Sequence, residues 1–165
     1  MSDATRPGVA RRASPPRVWT VAEANDRLDH LRELLPQLRA WVVRLGKVHD
    51  ELQRLAHFWG RETDAVDNPD RELKLRLDDE WKRLGQRLES EVLRLQAEGI
   101  EVKDLETGLV DFYSRRDGEL VFLCWQRGES EVGHWHLLSG SFRTRKPIGG
   151  RSATHSPARA SRRLS

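Results

Sequence analysis

From Val21 to Trp59, apolar residues return every seven positions through six consecutive heptads. One heptad position takes Val21, Leu28, Leu35, Val42, His49 and Ala56. The other takes Ala24, Leu31, Leu38, Leu45, Leu52 and Trp59. A repeat of that length demands a long helix with a single apolar seam, as in a coiled coil. Thr20 followed by Glu23 is a capping box at its start, and Trp19 stands where it can staple onto Ala24. Pro36 removes one backbone hydrogen bond and bends the helix. The beat crosses Pro36 without a change of phase, so the sequence predicts one kinked helix over 20–59, with a break near Leu34 as the alternative. At 1.5 Å per residue it spans about 58 Å.

A polar loop, Gly60 to Asp67, separates this helix from a second. Asn68-Pro69 supplies an N-cap with proline in the first helical position. Leu73, Leu77, Trp81, Leu84, Leu88, Val92 and Leu95 form one stripe, and Gly99 is placed as a C-cap. The second helix is expected over 69–98, about 44 Å long. Two antiparallel helices alone bury little, so their stripes need a further layer, either strands or a second chain. The surplus length of the first helix predicts a homodimer, with Leu28, Leu31, Leu35, Leu38, Val42, Leu45, His49, Leu52 and Trp59 as dimer or core seam. His49 in that seam reads as a register-setting or partly exposed side chain rather than a ligand. Trp41, Trp59 and Trp81 read as core or interface.

Strand-like patterning is confined to Gly99–Pro147. Ile100-Glu101-Val102 alternates, and Leu109–Ser114 and Leu120–Trp125 flank Asp117-Gly118, a strong hairpin signal. A two-residue loop places Asp111 opposite Cys124, Phe112 opposite Leu123 and Val110 opposite Trp125. A three-residue loop with a bulge shifts this by one and sets Val110 opposite Cys124. In the first register Val110, Phe112, Val121, Leu123 and Trp125 face the helices. Asp111, Tyr113, Phe122 and Cys124 face away. Arg127-Gly128 turns the chain into a last strand, Val132–Leu137. The expected class is α+β: a long kinked antiparallel helical hairpin followed by a small antiparallel β-meander, one domain over 18–147 with strands over about 100–138.

The ends differ in composition. Residues 1–17 carry four arginines against one aspartate, and residues 143–165 carry six arginines and one lysine with no acid. The net charge of +3 therefore leaves the intervening part at −7. Segments 1–17 and 148–165 are expected to be disordered. Arg-rich tails can hold nucleic acid weakly through phosphates, or they can be solvated and without a partner. A single cysteine excludes an internal disulfide. No apolar run follows the N-terminal arginines, and no stretch approaches the ~18 apolar residues of a membrane span. The expected compartment is the cytoplasm, with no membrane partner.

Asp111, Cys124, Glu129, His134 and His136 are the one concentrated set of potential metal ligands. Thiolate, imidazole and carboxylate together suit Zn or Fe. Opposed strand residues have Cβ atoms ~5 Å apart, close enough for Asp111 and Cys124 to share an ion. The alternative is a small buried thiol at Cys124 and a backbone-bonded His136. A Cys124-His136-Asp111 hydrolase needs a base in reach and an oxyanion hole, and a narrow meander offers no evident pocket. Lys103 and Arg145 are candidate contacts for an anion or partner, or members of surface ion pairs.

Several runs carry a resemblance: Thr20-Val21-Ala22-Glu23-Ala24-Asn25, Gly99-Ile-x-Val-Lys-Asp, Gly108-Leu-Val-Asp-Phe, Leu123-Cys-Trp, Gly128-Glu, Trp135-His and Gly140-x-Phe-x-x-Arg-x-Pro. Over about residues 19–147 the chain resembles the bacterial domain-of-unknown-function 2203 family. The resemblance implies a small bacterial protein of helices followed by short strands and brings no activity with it. Tyr113 stands where the family's proline is expected. Taken together, the residues predict a non-catalytic interaction or self-association module. The first alternative is a metal-binding protein or metal-dependent enzyme using Cys124, His136 and Asp111. The second is weak nucleic-acid association through the tails.

Overall fold

The structure, a computed structural model, describes residues 16–149. Expectations for residues 1–15 and 150–165, including the nucleic-acid reading of Arg6, Arg11, Arg12, Arg151, Arg159, Arg162 and Arg163, lie outside them. The chain forms helix α1 (Val21–Trp59), a 3-10 turn (Gly60–Glu62) and helix α2 (Arg71–Ala97). Strands β1 (Ile100–Asp104), β2 (Leu109–Arg116), β3 (Glu119–Gln126), β4 (His134–Leu137) and β5 (Lys146–Pro147) follow, with a second 3-10 turn, Phe142–Thr144, before β5. The five strands make one sheet in sequence order, antiparallel throughout. The architecture is α+β.

α1 is one continuous helix with Pro36 inside it. Its capping box is complete: the Glu23 amide donates to Thr20 Oγ1, and Glu23 Oε2 accepts from the Thr20 amide at 2.8 Å. Trp19 does more than staple the first turn. Its ring meets Phe112 edge-on at 5.6 Å, and its indole donates to the Glu98 carbonyl at 2.7 Å. Its backbone N–H and C=O bond Tyr113 and Ser114. One tryptophan thus ties the start of α1 to the end of α2 and to β2.

The seam divides in two. Ala24, Leu28, Leu31, Leu34, Leu35 and Leu38 are buried in one core with Leu95, Ile100, Val110, Phe112, Leu123 and Trp125. Beyond Trp41 no residue of α1 belongs to that core, and the helix is met there by α2, through Arg44 to Glu80 and His49 to Trp81. Val48 is fully buried while Leu45, Leu52, Leu55 and Trp59 are half-buried. Val42 is 43% exposed and His49 is exposed, its ring 5.6 Å from Trp81. Of the residues expected in the dimer or core seam, Val42 and His49 therefore lie outside the intramolecular core. Trp41 and Val48, one residue earlier, take their place because α2 covers a different side of α1 than the sheet does.

α2 begins two residues later than proline at position 69 suggested. Asn68 instead builds the turn before it: Oδ1 accepts from the Asp70 amide at 2.8 Å, and Nδ2 donates to the Glu62 carbonyl at 2.8 Å. Asp70 takes the cap position and accepts the Trp59 indole N–H at 2.9 Å. At its other end Gly99 has φ +74, and a Cβ there would stand 2.2 Å from the Arg17 carbonyl oxygen, so only glycine fits.

Asp117 and Gly118 both have positive φ, the two-residue turn that matches strand twist. The register is Asp111 to Cys124, Phe112 to Leu123 and Val110 to Trp125. The strands run past 138, because β5 pairs with β4 and the Ile148 amide donates to the Gly133 carbonyl. Ile148 also packs on the core, so the expected tail boundary at 148 falls inside the fold.

Candidate functional site

Strand alternation puts the chemistry on the sheet face away from α1. One ladder row crosses all five strands as Glu101, Asp111, Cys124, His134 and Pro147. The next row on that face is Tyr113, Phe122 and His136. The middle of this face is covered: Asp111, Phe122, Cys124 and His136 are buried, while Glu101, Tyr113 and His134 are half-buried and Pro147 is exposed. The segment after β4 lies against it, and Gly140 permits the close approach. A Cβ at Gly140 would stand 2.8 Å from Thr144 Oγ1 and 3.4 Å from His136 Cβ.

Asp111, Cys124 and His136 converge. One ligand atom from each lies within 4.8 Å of the other two. His136 Nδ1 is 2.8 Å from the Leu137 carbonyl oxygen, which can only accept, so Nδ1 carries the proton. Nε2 then faces Asp111 Oδ2 at 3.2 Å. Between a ring nitrogen and a carboxylate oxygen so placed there must be a proton from one side or a cation. Asp111 Oδ1 is buried without a hydrogen-bond partner among the described residues.

Burial pushes the Asp111 carboxyl up from its ordinary range, against the pull of His136 and Lys103. Burial, and then the charge of Asp111, pushes the Cys124 thiol up to about 12, while the nearby Arg145 guanidinium pulls the other way. The metal-free thiol is therefore protonated at neutral pH and is no nucleophile. The ring of His136 gives one nitrogen to the backbone and the other to Asp111, so no nitrogen remains to act as base for the thiol. The arrangement does not support a Cys-His-Asp hydrolase.

The other two candidate ligands form an adjoining group. Glu129 Oε1 accepts from Arg145 at 2.8 Å and Oε2 from the Gln126 amide at 2.8 Å. His134 Nδ1 lies 3.7 Å from Glu129 Oε1, and both it and one Arg145 terminal nitrogen are buried without a hydrogen-bond partner among the described residues. Arg145 stacks on Phe142 at 3.9 Å. Lys103 pairs with Glu101, lies 3.9 Å from Asp111 Oδ2 and covers the Phe122 ring at 4.6 Å. Both cations are thus engaged within the fold. Sequence reasoning omitted Glu101, Tyr113, Phe122 and Phe142 from the site. The Gly140-x-Phe-x-x-Arg-x-Pro run was a signal for the last of these.

No helix among the described residues is long and apolar enough to cross a membrane. Neither a curated protein nor a solved structure matches the chain. A family model described as an uncharacterized conserved protein, DUF2203, matches residues 17–148, which takes in both helices and every strand, and the chain belongs to that family.

Proposed function

We propose that the protein binds one divalent transition-metal ion, of the Zn or Fe(II) class, through Asp111, Cys124 and His136. One observation carries the reading: a carboxylate, a thiol and an imidazole from three strands bring their ligand atoms within 4.8 Å of one another in a buried place. Bonds of ~2.3 Å to sulfur and ~2.0 Å to nitrogen set tetrahedral ligand atoms about 3.3–3.8 Å apart. Ligand atoms within 4.8 Å of one another would draw together to that spacing by side-chain rotation. Nδ1–H held by a backbone carbonyl is the usual outer-shell support for a ligating imidazole, since it turns the Nε2 lone pair inward. A divalent ion would also take the place of the thiol proton that Cys124 holds against the buried Asp111 carboxylate, a charge otherwise costly to bury. This places first the reading that the sequence alone put second.

The test is a double-mutant cycle of Cys124→Ser and His136→Ala on untagged protein, with metal analysis of every variant. Stoichiometric Zn or Fe in the wild type is expected. Either substitution should release it, and the double variant should be no less stable than the worse single one. A wild type that takes up neither ion, with stability losses that simply add, overturns the proposal.

Self-association remains the second reading, favoured by the far end of the hairpin. Phe58 is 77% exposed there, beside a groove of about 680 Å³ lined by Leu55, Leu73 and Leu77.

A further inference from the structure

A cavity of about 380 Å³ lies over Asp111 and His136, with Leu109 and Phe142 as its apolar walls and Lys103 and Arg143 as its cationic residues. Resting on the metal-binding reading, we infer that this cavity receives a small organic carboxylate with an apolar body, bound head-first as the outer ligand of the ion.

The chemistry of the lining selects that ligand. Three protein ligands leave a fourth position on a tetrahedral ion, the arrangement that accepts an exogenous group. Cys124 does not line the cavity, so the position open to a visitor is on the Asp111 and His136 side. The ion, a carboxylate, a thiolate and a neutral imidazole sum to zero charge, so the floor does not repel an anion. Lys103 Nζ has three donors, pairs with Glu101, and stands 3.9 Å from Asp111 Oδ2. It has donors left for the second oxygen of a carboxylate whose first oxygen is on the metal. Arg143 is exposed and makes no ion pair among the described residues, so it adds an uncompensated positive charge at the cavity. Leu109 and Phe142 match an apolar body, which inorganic phosphate lacks. By the share of volume a water takes in the liquid, the space is on the order of ten waters, which limits the ligand to a small molecule.

The experiment uses the full chain loaded with Co(II), whose spectrum reports its ligands. Thiolate-to-cobalt absorption in the wild type tests the metal reading by itself, and its absence there sinks that reading before the anion question arises. Benzoate is then titrated into the loaded protein. A saturable, one-to-one change in the ligand-field bands is expected. Arg143→Gln and Lys103→Gln should each weaken benzoate about tenfold while cobalt stays bound, and the exposed Arg143 makes that variant the one least exposed to folding trouble. The inference is overturned if loaded protein shows no response to millimolar benzoate. It is equally overturned if inorganic phosphate acts and benzoate does not, or if both variants respond as the wild type does.

Discussion

Cys124 and Tyr113 are the chain's single cysteine and single tyrosine, and both sit in the strands of the site. The folded protein holds the thiol proton up to about 12 against an ordinary 9.0, through burial and then the Asp111 charge. It holds the phenol proton up to about 12 against 10.0, chiefly through the hydrogen bond to Glu101. Both pKa values are raised, so both groups contribute stability that is whole below their ordinary values. That stability is lost as pH climbs from about 9 to about 12. In metal-free Tyr113→Phe, ultraviolet titration should therefore show thiolate appearing only towards pH 12. With zinc bound, the thiolate should already be present at neutral pH, since a coordinating thiol is deprotonated. Thiolate at neutral pH in the metal-free protein would contradict the burial account.

Between elements, the same heptad beat serves two partners. Leu38 is fully buried where α1, α2 and the sheet meet, whereas Phe58 projects from the hairpin end. Leu38→Ala should cost about 2–5 kcal/mol in denaturant unfolding, and Phe58→Asp should stay within about 0.5 kcal/mol. If the hairpin end associates, Phe58→Asp should also reduce the sedimenting species from a dimer to the 19.1 kDa chain. A wild type that already sediments as the single chain removes the self-association reading. What the sequence made legible follows from which forces are local. Capping at Thr20 and Glu23, and the Asp117-Gly118 turn, act over two to four residues, and they placed the start of α1 and the register that sets Asp111 against Cys124. The burial of Val48 in place of His49 depends on where α2 lies, which no periodicity within α1 encodes. β5 is two residues long and has no alternation to detect. The Asp111, Cys124 and His136 cluster was legible as residues in one meander. Its diagonal approach and its cover by the Gly140 turn arise only in three dimensions.

For the whole molecule, the C-terminal boundary of the fold decides how the site is held. Arg145 bonds Glu129 beside Cys124, β5 covers the outer edge of β4 at His134 and Trp135, and Ile148 packs on the core. Residues 150–165 are rich in Ser, Arg and Ala with one leucine, a composition from which no contribution to stability is expected. Two truncations separate these contributions. Ending the chain after Gly149 should leave the thermal midpoint and zinc affinity close to those of the full chain. Ending it after Arg145 deletes β5 and Ile148, frees the edge of β4 and exposes the backbone of His134 to solvent. That loss should lower the midpoint by several degrees and weaken zinc binding, because His136 lies two residues along the same strand and its ring is oriented by the Leu137 carbonyl. Thermal melts and zinc titrations on the two truncations give the answer. If ending the chain after Arg145 leaves both quantities unchanged, β5 is dispensable and the site is held by β2, β3 and the Gly140 turn alone.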